Sequence, residues 1–268
     1  MSNYKLITID IDDTLLNDEL QVTDGTKQAM KAAIEQGVVV TLATGRMYDS
    51  AQKIAKQINL NVPLITYQGA LIKNLLDEQV LYERYVPDDA AAELYDYCEA
   101  RGYHLQVYIN DVVYAKEDNQ KIKDYCKLSN VPYRIEPDFR SLLGQPFAKM
   151  LMIDDPEVLD AIALELRPLI GDRTHITKSK AHYLEFMHKE GTKGHAVTFL
   201  ANHYGLELSQ VIALGDAWND HEMIEVAGLG VAMGNAIQPL KEVADYITLS
   251  NNEDGVKHVI DKFILNPA

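Results

Sequence analysis

Asp10 and Asp12 are separated by one residue and follow directly on the apolar run Tyr4-Lys5-Leu6-Ile7-Thr8-Ile9. A short run of this kind, bounded by polar residues, reads as a buried strand of a parallel sheet. Side chains two apart on an extended segment point the same way. Both carboxylates therefore project from the strand end, where open α/β sheets bind ligands. Crowded carboxylates repel unless a cation or a shared proton relieves them. An isolated pair would be an ordinary solvated acidic turn, but a second turn of the same design follows the apolar run Val211-Ile212-Ala213-Leu214: Gly215-Asp216-Ala217-Trp218-Asn219-Asp220. If the two strands are neighbours, Asp10, Asp12 and Asp216 converge. Three carboxylates with few other donors suit a hard cation, Mg²⁺ first, which keeps waters and binds substrate phosphate. Zinc is not expected, because Cys98 and Cys126 form no CxxC and the eight His show no HExxH-like spacing.

Two more fragments offer donors to phosphate oxygens. Val38-Val39-Val40-Thr41-Leu42 ends in Ala43-Thr44-Gly45-Arg46, which supplies a hydroxyl and a glycine amide just before a helix starting near Met47. Gly191-Thr192-Lys193-Gly194 precedes a helix from Ala196 to Tyr204. A lysine at a helix start opposes the dipole, which points to an anionic partner. Taken singly, each fragment is ordinary turn or surface chemistry.

The elements that must position these groups alternate. Ala29, Met30, Ala33 and Ile34 stripe a helix that Gly37 ends, and strand 38–42, helix 48–57 and strand 63–66 follow. From Lys193 the rhythm returns as helix, strand 211–214, helix, strand 230–233, helix, strand 246–249 and a last helix. That is an α/β chain with a doubly wound, Rossmann-like parallel sheet, interrupted in its middle. The expected core is residues 1–83 and 190–268, with an inserted α+β cap of residues 84–189. Within the insertion, helix 88–101 leads to strands 104–109 and 112–116 through the tight turn Asn110-Asp111. Further on, helix 156–170 leads to strands 174–179 and 183–188, and a helix from Asp118, a strand near Tyr133, a short helix near Phe139 and strand 147–153 lie between. Lys149 and Glu185 on these strands could face the cleft but read rather as surface positions, and Met150 and Met152 as cap core. Trp218 reads as loop packing, and Gly228, Gly230 and Gly234 as turn glycines rather than a dinucleotide fingerprint.

Composition narrows the partners. The formal net charge of −15 over 268 residues argues against nucleic acid and anionic membranes. It also repels a phosphorylated substrate, so local cations must hold one: Mg²⁺, Lys193 and Arg46. No run of eighteen apolar residues and no leader-like start is seen, and two Cys imply reduced thiols in the cytoplasm.

Together the fragments resemble the haloacid dehalogenase-like superfamily, mostly phosphatases. Its four motifs occur in order: Asp10-Ile11-Asp12-Asp13-Thr14, then Thr44, then Lys193, then Gly215-Asp216-x-x-Asn219-Asp220. The stretch from Lys193 to Asn235 and the tail from Asn252 to Leu265 are similar to the Cof-type bacterial sugar phosphatases, whose cap is of type 2b. Asp13 stands where that subgroup has Gly, and Gln68 where its Tyr-Asn-Gly-Ala loop has Asn.

The resemblance implies a Mg²⁺-dependent phosphatase acting on small phosphorylated metabolites, sugar phosphates foremost. It implies Asp10 as nucleophile forming an aspartyl-phosphate, and Asp12 as general acid and then base, its pKa raised by neighbouring carboxylates. Mg²⁺ would be held by the Asp10 carboxylate, the Asp12 backbone carbonyl and Asp216, with Asp220 orienting metal-bound water. Thr44, the Gly45 amide, Lys193 and Asn219 would hold the transferring oxygens. Three alternatives compete: a phosphomutase, separated by measuring inorganic phosphate release; a non-catalytic phosphometabolite-binding protein, which would not need Asp12; and a receiver domain, which shares Asp, an acidic pair, Thr and Lys on a doubly wound sheet but is too small and lacks an inserted cap. Neither the substrate nor the oligomeric state is legible.

Overall fold

The computed structural model describes residues 2–60 and 62–267. The chain begins with β1 (Leu6–Ile9), α1 (Asp24–Glu35), β2 (Val39–Leu42), α2 (Tyr48–Gln57), β3 (Leu64–Thr66), β4 (Leu71–Lys73) and β5 (Val80–Glu83). Its middle holds α3 (Asp88–Arg101), β6 (Leu105–Ile109), β7 (Val112–Ala115), α4 (Gln120–Ser129), β8 (Tyr133–Ile135), β9 (Lys149–Ile153), α5 (Pro156–Ile170), β10 (Thr174–Lys180) and β11 (Tyr183–His188). Then come α6 (Lys193–His203), β12 (Val211–Gly215), α7 (His221–Val226), β13 (Leu229–Ala232), α8 (Gln238–Val243), β14 (Tyr246–Ile247) and α9 (Gly255–Ile260).

The first sheet is parallel throughout, in the order β14-β13-β12-β1-β2. Every residue of β1 and β12 is buried, as strands covered on both faces require. Because β1 is flanked by β2 on one side and β12 on the other, the strand order reverses there, and the crevice at their carboxyl ends is the natural ligand site. α1 starts on a Thr23 cap whose hydroxyl accepts the Thr26 N–H at 3.1 Å, and it buries Ala29, Met30 and Ala33, while Ile34 lies at the edge of the stripe, 40% exposed.

One expected core strand behaves differently. Among the described residues β3 pairs with the parallel sheet through one bridge, between Ala43 and Ile65, then folds back as a three-stranded antiparallel flap, β3-β4-β5. The flap strands are three or four residues long and no residue of β5 is fully buried, so they are too short to show a period in the sequence.

The middle of the chain builds a six-stranded sheet, β10-β11-β9-β6-β7-β8, antiparallel except between β7 and β8. Asn110 and Asp111 join β6 to β7 with both φ positive, 49° and 57°, the twist a two-residue hairpin turn needs. α3 and α5 cover one face with Met150, Met152, Leu184 and Phe186, so the two methionines are cap core. Tyr108, Val113 and Leu151 on the other face join the apolar cluster of the first sheet. Lys149 and Glu185 share that second face by the period-two rule. They are not surface positions: Lys149 is 1% exposed and Glu185 2%, because the core covers the face they occupy.

Candidate active site

Asp10 leaves β1 at the switch point and Asp216 leaves β12 beside it, the strands being paired from Leu6 against Val211 to Ile9 against Leu214. The carboxylates of Asp10, Asp216 and Asp220 lie within 4.8 Å of one another. Lys193 opens α6 and is 1% exposed. Its ammonium donates to Asp10 and, at 2.6 Å, to Asp220 Oδ1, which is the anionic partnership its unfavourable place on the helix dipole called for. Burial pushes the Asp10 carboxyl well above the usual range; Lys193 opposes this, while Asp220 and Asp216 add to it. Asp216 is raised to about 7, by burial first and then by Asp220, although the Thr14 hydroxyl donates to it at 2.8 Å. Three crowded carboxylates thus face one ammonium, too little positive charge for all three to ionise freely, and burial and mutual repulsion push Asp10 and Asp216 toward their protonated forms.

Asp220 turns back under its own loop. Its Oδ2 accepts the backbone N–H groups of Asp216 at 2.9 Å and Ala217 at 3.0 Å. Gly215 makes room for this, since a Cβ there would strike the Asp220 carboxylate. Asp13, which stands in place of a glycine, has φ 57°, a left-handed conformation that Asp tolerates better than most residues.

Asp12 faces another way. Arg46 grips it with both arms of the guanidinium, Nε to Oδ2 at 2.8 Å and Nη2 to Oδ1 at 2.6 Å. Burial acts to raise the Asp12 pKa, but the Arg46 fork outweighs it and holds the carboxyl below its ordinary value. The expectation that neighbouring carboxylates keep Asp12 protonated is therefore corrected for this arrangement: its immediate partner is a cation. Thr44 is buried, its hydroxyl accepting the Arg46 N–H at 3.1 Å.

A cavity of about 120 Å³ opens onto Asp10, Asp12, Gly45, Asp216 and Asn219 from the core and onto Lys149, Ser179, Lys180, Tyr183 and Glu185 from the six-stranded sheet. Thr44, Lys193 and Asp220 stand behind that wall. Three residues of the site were noticed in the sequence but given no role there. Gln68, 1% exposed, accepts from Asn219 Nδ2 at 2.9 Å and donates to Glu185. Glu185 also accepts from Ser179 Oγ and from Lys149 Nζ, each at 3.0 Å, and Lys149 donates at 3.0 Å to the Gly45 carbonyl. The available signal was a charged residue inside an otherwise apolar alternation, Lys149 beside Met150-Leu151-Met152 and Glu185 between Leu184 and Phe186.

Comparisons with known proteins agree with one another. The model of the haloacid dehalogenase-like hydrolase family matches residues 7–260. A Streptococcus pyogenes protein, a phosphatase by name, is 36% identical over 98% of this chain and 100% of its own length. A Bacillus subtilis 5-amino-6-(5-phospho-D-ribitylamino)uracil phosphatase is 30% identical over 96% of this chain and 97% of its own. The crystal structure of a haloacid dehalogenase-like hydrolase from Bacteroides thetaiotaomicron superposes with a TM-score of 0.85 at 30% identity, covering 96% of this chain and 98% of that one.

Proposed function

The chain belongs to the haloacid dehalogenase-like hydrolases and is a phosphatase, and from that premise we propose that it hydrolyses small phosphate monoesters, sugar phosphates foremost, through a phosphoryl group carried transiently on Asp10. The observation that carries this reading is the Asp10 carboxylate at the end of β1, bonded to the Lys193 ammonium, with Asp216 and Asp220 alongside and Asp12 two residues on. Asp10 attacks phosphorus, forming a carboxylate P–O bond as the ester P–O bond breaks. Asp12 gives a proton to the leaving alcohol and then takes one from the water that cleaves the acyl-phosphate, releasing inorganic phosphate. Such acid–base help is typically worth about 10²–10⁴-fold.

Arg46 bears on that step. While its fork holds Asp12, the ionised carboxylate is favoured. An arriving phosphate competes for the same guanidinium, and Asp12 becomes free to carry a proton as Arg46 turns to the ester. Thr44, the Gly45 amide, Lys193 and Asn219 hold the transferring oxygens, whose spread charge makes positioned donors the main source of catalysis. The donor set fits Mg²⁺: hard carboxylate oxygens, close together and in excess over the one ammonium among them. Asp10, Asp216 and the Asp12 backbone carbonyl would hold the ion, with Asp220 behind them, and it would neutralise charge at the transferring phosphoryl group.

Residues 84–189 act as the cap over a core of 1–83 and 190–268. The chain crosses between them at Arg84 and Glu190, which are ion-paired at 3.0 Å. Ser179, Lys180 and Tyr183 give the cap side of the cavity donors and acceptors suited to hydroxyls. The activity is assigned to the cytoplasm, where the buried Cys98 and Cys126 stay as thiols. Among the described residues, no helix is long and apolar enough to cross a membrane.

The test is chemical quenching during turnover of a ³²P-labelled monoester, with and without Mg²⁺. Label should appear on the protein and map to Asp10, and inorganic phosphate should follow. Asp10→Asn should abolish both while leaving the far-ultraviolet circular dichroism unchanged; phosphate release by that variant would refute the nucleophile.

A further inference from the structure

We propose that Glu185 and Gln68 are positioning residues which together fix the orientation of the Asn219 amide, and that they do so only while the cap sheet lies against the core. The proposal rests on the reading of Asn219 as a holder of the transferring oxygens. An ionised carboxylate only accepts hydrogen bonds. Glu185 Oε1 is taken by Ser179 Oγ and Lys149 Nζ, each at 3.0 Å, and Oε2 faces Gln68. Gln68 must therefore turn its NH₂ toward the cap, which leaves Oε1 for the core. Asn219 in turn must present Nδ2 to that oxygen, at 2.9 Å. Two amides that are ordinarily free to flip are given one polarity by a carboxylate on β11.

The surrounding structure is built to hold this line. Tyr67 and Gln68 both have positive φ, 51° and 63°, a strained choice for side chains of this type that clusters at functional sites. A Cβ on Gly45 would collide with the Gln68 side chain, its Cδ being 2.8 Å away, so the missing side chain there admits the glutamine. Among the described residues Asn219 Oδ1 is buried without a hydrogen-bond partner, so nothing at that oxygen fixes the amide and the bond to Gln68 is what orients it. Only a side chain of glutamine's length bridges Asn219 and Glu185, since one methylene fewer shortens the reach by about 1.5 Å.

Two variants test the relay with p-nitrophenyl phosphate as substrate and inorganic phosphate as competing ligand. Gln68→Asn keeps the amide and suits a left-handed backbone, but it cannot span both partners. Glu185→Gln reverses the line: the Lys149 ammonium only donates, so the new amide must give it oxygen and turn NH₂ to Gln68, inverting both amides beyond. Each variant should lower kcat by about ten- to a hundredfold, the range a misplaced group produces, while keeping the parent's far-ultraviolet circular dichroism. In an Asn219→Ala background neither should lower kcat further, because a relay acts only through its last member. Losses that multiply with Asn219→Ala, or single variants at the parent rate, overturn the proposal while leaving Asn219's role intact. Asn219→Ala at the parent rate overturns the role of Asn219 and the relay with it. Should Glu185→Gln fail to fold, the Gln68→Asn cycle decides alone.

Discussion

Lys193 and Lys149 are both wholly buried, yet they are buried for different ends. Lys193 sits at a helix start among Asp10, Asp220 and Asp216, where the positive charge falls short of the negative. Lys149 sits in the middle of a strand with one carboxylate, Glu185, one carbonyl, Gly45, and the face of Tyr108, 4.7 Å from its ring centroid. Its charge is matched. A matched buried pair can in principle be exchanged for apolar residues, often without loss of stability. An unmatched cluster cannot be, since it is kept in surplus by what it must bind. On the proposed reading the core cluster is a site for charge arriving from outside, whereas the boundary pair is a strut between two sheets.

Replacing the lysines by methionine should separate those roles. Lys193→Met leaves Asp10 and Asp220 facing each other and, on the proposed mechanism, removes a donor to the transferring group. We expect kcat to fall by about 10²–10³, as for loss of one oxyanion-hole donor, and no second apolar substitution should restore it, because Asp10 itself cannot be spared. Lys149→Met leaves Glu185 uncompensated at the boundary, a loss of about 3–5 kcal/mol by chemical denaturation. Here the second change should work: Lys149→Met with Glu185→Leu should recover most of that stability but not the rate, since Gln68 then has no carboxylate to face. If the double variant stays as unstable as the single, the pair is not a balanced strut and the contrast fails.

The surplus itself is open to measurement. Mg²⁺ that binds the folded chain and not the unfolded one should raise its stability by about 2.7 kcal/mol at a hundredfold excess over Kd. Asp216→Asn removes one carboxylate from the cluster and should shrink that shift to a small fraction, while Lys149→Met leaves the shift as it was. A Mg²⁺ effect untouched by Asp216→Asn would put the ion elsewhere.

How far the sequence could be read follows the same division. Asp10, Asp216 and Lys193 sit at ends of strands and helices whose apolar runs are long enough to show, so the parallel sheet and the convergence of these side chains were legible. The partner of Asp12 was not. Arg46 lies thirty-four positions away (46 minus 12), and its side-chain direction, which reverses the expected charge state of Asp12, is set by packing. Lys149 and Glu185 were misread for a physical reason: charged residues on a cap strand are usually solvated, and only the second sheet lying against them makes them buried. The Gln68 relay joins two loops and strand β11, far apart in the chain, and the sequence marks it only by a Gln where the resembled loop has Asn.

A third crossing between the sheets gives the finest test. Asp111, in the hairpin turn between β6 and β7, accepts the Tyr67 hydroxyl at 2.7 Å and lies 3.4 Å from the Asp49 N–H in the first turn of α2. Tyr67 is the residue before Gln68, and its ring also meets Tyr108 edge-on, 6.1 Å between centroids. Tyr67→Phe removes one hydrogen bond and keeps the ring, so it should cost about 1 kcal/mol of stability. It weakens the seating of the cap without altering the Glu185–Gln68–Asn219 line. If kcat changes less than twofold while Gln68→Asn changes it tenfold or more, amide orientation and not cap seating in general governs the rate. Equal losses from the two variants would mean that any loosening of the boundary is enough, and the boundary pair would then be a strut and nothing more.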